Sequence, residues 1–113
     1  MKRYYALTYT VADEFLRRRG EFRKAHLKKV FEAHAKGELI LGGALGDPTD
    51  RVLLIFRAND KTIPERFAKA DPYVLNELVK TWEVSPWSVV AGLQTGDFDP
   101  LEGQPELKAL HPT

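Results

Sequence analysis

The order of strand-like and helix-like segments constrains the fold of this chain more than any other feature of its sequence. Residues 4–11 alternate with the period of two that is typical of a strand, and they are rich in aromatic and β-branched side chains. Residues 51–57 are apolar without alternation, which indicates a strand buried on both faces. The predicted strands are 4–11, 39–45, 51–57 and 81–91, and the predicted helices are 21–36 and 63–70.

This order predicts an α+β fold, namely a ferredoxin-like βαββαβ sandwich whose antiparallel sheet has the strand order 4-1-3-2. The first and third strands are then central and the second and fourth strands lie at the edges. The continuously apolar segment 51–57 suits a central position. Pro86 has no amide hydrogen to donate to a neighbouring strand, so the last strand lies at an edge or carries a bulge.

Two glycines delimit the first predicted helix. Asp13 offers a cap for a helical or irregular stretch, which Gly20 interrupts, so the clear helix is predicted to begin at Glu21. Gly37 suits the residue after its C-terminus. Its apolar stripe is predicted to consist of Leu27, Val30, Phe31 and His34. His34 is then expected to face the core with a single hydrogen-bond partner.

The second predicted helix begins with the spacing of a capping box, Thr62 and Glu65. It ends at Ala70, because Asp71 precedes Pro72 and a residue in that position disfavours the helical conformation. Asp71 is also a suitable N-cap for a further short helix that reaches Val79.

Composition limits the functional classes. The 113 residues suit one domain, which we place at residues 1–92, followed by a Gly- and Pro-rich tail at 93–113. The chain has no cysteine, no apolar run long enough for a membrane span and no secretory signal pattern, so a cytoplasmic protein without membrane contact is expected. The net charge of +1 offers no attraction for nucleic acid.

The predicted topology brings together one histidine and one carboxylate. The two crossover helices run antiparallel on one face of the sheet, so the start of the first lies near the end of the second. His26 is about five residues into the first predicted helix, and Asp71 ends the second. A carboxylate beside an imidazole fixes its tautomer, which suits a general base. The alternatives are a surface role for His26 and a capping role for Asp71, and capping is compatible with the pair.

Four segments resemble the YciI-like (YCII-related) domain family over roughly residues 3–92. They are 23–27 (RKAHL), 37–43 (GELILGG), 70–74 (ADPYV) and 84–87 (VSPW). The resemblance implies a ferredoxin-like fold that dimerises as an α+β barrel, and a catalytic dyad formed here by His26 and Asp71. One member type of the family dehydrochlorinates a hydroxylated aromatic. The family often has Gly-Pro in the second strand, where this chain has Gly42 and Gly43.

Two functions follow from these residues. The first is a lyase- or isomerase-type enzyme without a cofactor or metal. In this enzyme His26 abstracts a proton from a small molecule and Arg23 holds an anionic oxygen. Arg23 is otherwise a solvated cation. By the resemblance, Gly42 and Gly43 form part of the pocket wall, and Tyr73 either joins that wall or packs in the core. In the second function the same pocket binds a small molecule without turnover.

A homodimer is expected as well, because helices on one face leave the other face of the sheet uncovered. RNA binding is disfavoured, because the segment 51–57 has one aromatic side chain, Phe56, where an RNA-recognition sheet needs several to stack bases.

Overall fold

The computed structural model describes residues 1–92, which form four strands and three helices in the order β1-α1-β2-β3-α2-α3-β4. No helix in this part of the chain is long and apolar enough to cross a membrane. The strands are β1 Arg3–Val11, β2 Leu39–Leu45, β3 Arg51–Ala58 and β4 Val79–Trp87. The helices are α1 Phe15–Ala35, α2 Thr62–Ala70 and α3 Pro72–Leu75.

The four strands form one antiparallel sheet in the order β2-β3-β1-β4. This is the predicted order 4-1-3-2 viewed from the opposite edge, so the predicted α+β topology is confirmed. β1 and β3 pair in the centre of the sheet, from Arg3 with Ala58 to Thr10 with Arg51. β4 lies at an edge, as Pro86 indicated, but its register shift lies opposite Thr10 and Val11 instead of at the proline.

The core lies between the helices and one face of the sheet. β1 contributes its alternate residues Tyr5, Leu7 and Tyr9, of which the last two are completely buried. In the same core, Phe56 of β3 packs edge-on against Phe67 of α2, with ring centroids 5.3 Å apart. Burial of apolar and aromatic side chains of this size is the main source of stability in a fold of this kind.

The opposite face of the sheet also carries apolar side chains. Tyr4 and Ile55 lie on this face, since they alternate with the core residues of β1 and β3. Both are buried. Leu41, which pairs with Ile55, is 69% exposed, and Trp87, which pairs with Tyr4, is 46% exposed. This face therefore exposes large apolar groups that the helices do not cover.

The predicted start of α1 at Glu21 is wrong, because the helix begins at Phe15 and continues through Gly20. A glycine inside a helix costs about 1 kcal/mol relative to alanine. Burial of Phe15, whose side chain is 3% exposed, stabilises the early start by about 2 kcal/mol and outweighs that cost. Ion pairs between Glu14 and Arg17 and between Arg18 and Glu21 add a smaller contribution.

The predicted stripe of α1 is also wrong in two positions. Phe31 is 63% exposed, and His34 lies on the exposed side, although its Nδ1 does have the expected single partner, the Leu39 carbonyl oxygen at 2.8 Å. The inward stripe is displaced by about one position around the helix and consists of Phe15, Phe22, His26, Val30 and Ala33. The core histidine is therefore His26.

The predicted capping box of α2 does not form. Asp60 takes its place, because its carboxylate accepts hydrogen bonds from both the backbone amide and the hydroxyl of Thr62.

The helix after Asp71 is shorter than predicted and ends at Leu75, since Glu77 adopts a positive φ of 61°. β4 begins at Val79 and ends at Trp87, so its predicted span of 81–91 is displaced. The predicted tail, 93–113, lies outside the described residues.

Candidate functional site

Asp71 lies at the junction of α2 and α3 and is completely buried. Its backbone is extended, with φ −69° and ψ 127°, which is the conformation that a following proline favours. The carboxylate accepts a hydrogen bond of 3.0 Å from the backbone amide of Tyr73 and so caps α3, as the sequence predicted. The Asp-Pro dipeptide thus holds an acidic side chain in the interior at a defined position.

His26 meets this carboxylate from α1. Its Nδ1 lies 2.9 Å from each carboxylate oxygen of Asp71, and its side chain is 7% exposed. An ionised carboxylate can only accept hydrogen bonds, so Nδ1 carries the proton and donates it. In the neutral imidazole, Nε2 is then the ring nitrogen with a free lone pair, which is the state that a general base requires.

The contact between His26 and Asp71 agrees with the prediction, but it forms at a different place along α1 from the predicted one. Because α1 begins at Phe15, His26 lies about 16 Å along the helix axis and not near its start. The pair therefore forms beside the middle of α1, where α3 contacts this helix.

Tyr9 is a third member of the group, and the sequence did not identify it as a site residue. Its hydroxyl donates a hydrogen bond of 2.7 Å to Oδ2 of Asp71 from the central strand β1. Burial raises the pKa of the Tyr9 phenol, and the charge of Asp71 and the hydrogen bond to it raise it further. Tyr9 therefore remains a protonated donor over the physiological pH range.

Tyr73 packs against the imidazole and also donates its backbone amide hydrogen to the Asp71 carboxylate. The rings of Tyr73 and His26 stack with centroids 3.9 Å apart and planes 13° from parallel. Phe15 contacts the Tyr73 ring edge-on at 5.3 Å. Burial raises the pKa of the Tyr73 hydroxyl, and Asp71 adds to this, while the positive charges of Arg23 and Arg19 oppose it. The stacking holds the plane of the imidazole.

A pocket of about 170 Å³ opens beside His26, between α1, α3 and the strands β2 and β3. The other predicted site residues all line it: Arg23, Gly42, Gly43 and Tyr73. Asp71 does not, since it lies behind His26 and Tyr73. Arg19 also lines the pocket, and the sequence reasoning had not singled it out.

The two glycines of β2 differ in how much room they leave. A Cβ added at Gly42 would lie 2.7 Å from Cδ2 of Leu54, a buried side chain that also lines the pocket. A Cβ added at Gly43 would meet nothing within 4 Å. The absence of a side chain at Gly42 therefore preserves the position of Leu54 in the wall.

No set of three or more His, Asp or Glu side chains within residues 1–92 is arranged to hold a metal ion. The chemistry available in the pocket is that of an imidazole oriented by a carboxylate, with two arginines nearby. This arrangement can take a proton from a small molecule and bind an oxyanion.

Two solved structures with the same fold align with this chain over nearly the whole length of the solved protein. One is 5-chloro-2-hydroxyhydroquinone dehydrochlorinase from Burkholderia phenoliruptrix, in complex with 2,5-dihydroxybenzoquinone. It matches with a TM-score of 0.64 and 18% identity over 85% of this chain and 98% of that one. The other is a protein from Agrobacterium tumefaciens, with a TM-score of 0.50 and 17% identity over 88% of this chain and 98% of that one. At these identities, the similarity shows a shared fold.

A search of proteins with curated functions found no match. The sequence model of the YCII-related domain matches residues 3–88, which is most of the chain and includes every residue of the pocket. The chain therefore belongs to the family of proteins with a YCII-related domain.

Proposed function

We propose that this protein is a small-molecule enzyme in which His26 acts as a general base and Asp71 orients it. One observation carries the proposal: three donors, from Tyr9, Tyr73 and His26, converge on the buried Asp71 carboxylate. Each donor suits the charged form of the carboxylate, and a charged carboxylate holds the proton on Nδ1 of His26. Nε2 is then a lone-pair acceptor at the wall of the pocket.

The proposed reaction is proton abstraction of the lyase or isomerase type. Nε2 of His26 takes a proton from an acidic C–H or O–H group of the substrate. The electron pair of the broken bond either delocalises into an adjacent carbonyl, after which the imidazolium returns the proton to a different atom of the substrate, which gives an isomerase, or forms a double bond while a leaving group departs with its own pair, which gives a lyase. The protonated imidazole is stabilised by the carboxylate of Asp71.

The size of the pocket supports a substrate built on one ring. Its volume of about 170 Å³ is close to that of an apolar protein cavity of about 150 Å³ that accepts benzene. The dehydrochlorinase with the same fold was solved with a single-ring quinone. We therefore propose a hydroxylated or carbonyl-bearing ring as the substrate class, with dehydrochlorination as the first reaction to test.

We also propose that the protein is a homodimer whose subunits pack through the uncovered face of the sheet. The exposed Leu41 and Trp87 on that face support this arrangement, because large apolar groups at the surface of a small domain favour association. Sedimentation at micromolar concentration should give twice the chain mass of 12.8 kDa. A single 12.8 kDa species would contradict the dimer.

The reaction is tested by chloride release from a panel of chlorinated hydroquinones. We expect His26→Ala to lower the rate by at least about a hundredfold, which is the lower end of the usual contribution of a general base. His34→Ala is the matched control, since His34 lies on the same helix but outside the pocket, and it should leave the rate unchanged.

The dyad is tested by combining substitutions. If His26 and Asp71 act as one unit, the His26→Ala, Asp71→Asn double variant should lose about as much rate as His26→Ala alone. Multiplicative losses would show that the residues act separately. Ligand binding that depends on His26, with no turnover of any compound, would identify the alternative function, a non-catalytic binding module.

A further inference from the structure

Arg19 and Arg23 lie one turn apart on α1 and both line the pocket beside His26. The three residues have the spacing i, i+4 and i+7, so they form a single row along the helix. Two cations and the base thus face the same small space. Two like charges four residues apart destabilise a helix by a few tenths of a kcal/mol, so this pairing has no structural advantage by itself.

The charges of these two arginines are not balanced by a neighbouring carboxylate. Within residues 1–92, neither one forms an ion pair, whereas Arg17 and Arg18 of the same helix pair with Glu14 and Glu21. None of the described residues that line the pocket is acidic. The buried carboxylate of Asp71 already accepts hydrogen bonds from three donors, one of which is His26.

Both arginines also act on the hydroxyl end of Tyr73. Both arginines line the pocket together with Tyr73, and their positive charges lower the pKa of its hydroxyl, in opposition to burial. Arg19 further lies 5.8 Å from the centre of the Phe15 ring, which restricts its position. Apart from His26, these two arginines and Tyr73, the residues that line the pocket are apolar or glycine.

We infer that Arg19 and Arg23 form an anion subsite, and that the ligand of this pocket is a single-ring monoanion, a phenolate or a carboxylate. The inference deepens the proposed function, because it assigns the charge of the substrate and a residue that sets specificity. Arg19 holds the oxyanion together with Arg23, while the ring lies against the apolar wall formed by Leu27, Val30 and Leu54. Guanidinium groups suit this role because they donate paired hydrogen bonds to planar oxyanions.

The test compares two probes of the same shape, benzoate and benzamide, by isothermal titration calorimetry. The unmodified protein should bind benzoate at least tenfold more tightly than benzamide, and the preference should fall as salt is added. Arg19→Gln and Arg23→Gln should each reduce benzoate affinity at least tenfold and leave benzamide affinity unchanged. Arg17→Gln is the matched control, because Arg17 lies on the same helix, pairs with Glu14 and does not line the pocket.

Equal affinity for the two probes, undetectable binding of benzoate, or benzoate binding that survives both arginine substitutions would each overturn the anion subsite. These outcomes are separate from a failure of the proposed catalysis. His26→Ala leaves both arginines in place, so this variant should retain the preference for benzoate even if no substrate is ever turned over.

Discussion

The phenol of Tyr9 donates a hydrogen bond of 2.7 Å to the carboxylate of Asp71 across 62 residues of sequence. This bond joins the central strand of the sheet to the junction between α2 and α3. The same carboxylate orients His26, so the position of the imidazole depends on the sheet as well as on its own helix. The site is therefore held by three separate elements of the fold.

Tyr9→Phe should destabilise the protein by about 2 kcal/mol, because it removes a hydrogen bond to a buried charged group. Tyr5→Phe is the matched control. Tyr5 lies on the same face of β1 and is also buried, but its hydroxyl forms no hydrogen bond among residues 1–92. Urea unfolding of the three proteins measures the difference. An equal effect of the two substitutions would show that the bond to Asp71 contributes nothing specific.

Stability should fall in alkaline solution partly because of Tyr9. An unfolded tyrosine ionises near pH 10, whereas the pKa of Tyr9 in the folded protein is raised by burial and by Asp71. Above about pH 10 the unfolded state therefore binds fewer protons than the native state, and the free energy of unfolding decreases by up to about 1.4 kcal/mol per pH unit for this group.

The measurement is the free energy of unfolding between about pH 9 and pH 11 for the unmodified protein and Tyr9→Phe. The variant lacks the titrating phenol, so its stability should decrease less steeply with pH. Parallel curves for the two proteins would contradict the raised pKa of Tyr9.

Gly42→Ala should weaken ligand binding more than it weakens the fold. The new methyl group would lie 2.7 Å from Cδ2 of Leu54, so Leu54 must move, and the pocket is the open space beside it. Overpacking of this kind costs about 1–3 kcal/mol of stability. Gly43→Ala, whose new methyl group meets nothing within 4 Å, should leave the melting temperature unchanged. Thermal melting and benzoate titration of both variants check this, and identical behaviour would show that Gly42 has no role in the wall.

Truncation after Gly92 should leave a cooperative melting transition. The described core, from Tyr4 to Leu78, lies within the retained chain, and the family match ends at residue 88. Loss of cooperative unfolding in residues 1–92 would show that the domain requires the segment 93–113. Circular dichroism of the two proteins during heating provides the comparison.

The sheet was predictable because its sequence signals are local. The strand at 39–45 has the predicted bounds, and the strands predicted at 4–11 and 51–57 are each one residue longer in the structure. The strand predicted at 81–91 is displaced by two to four residues. The start of α1 was not predictable in this way. The unfavourable helix propensity of Gly20 is visible in the sequence. The burial of Phe15 against Tyr73, which outweighs it, arises only when distant segments meet.

The candidate site shows the same division. Asp71 was identified because the Asp-Pro dipeptide marks both a helix end and an N-cap. Tyr9 was missed because a tyrosine on the inward face of a strand has the pattern of an ordinary core residue, and nothing local reveals the partner of its hydroxyl. Arg19 was missed because the helix was predicted to begin after it, although its spacing of seven residues from His26 would have placed both on one row.

The central claim, that Asp71 keeps the proton of the neutral imidazole on Nδ1 and leaves Nε2 as the base, is tested most directly by NMR. The ¹⁵N chemical shifts of both ring nitrogens distinguish the two tautomers of neutral His26 without any substrate. The structure predicts a protonated Nδ1 and an unprotonated Nε2 in the unmodified protein, and a loss of this preference in Asp71→Ala. A proton on Nε2 in the unmodified protein, or the same tautomer in both proteins, would contradict it.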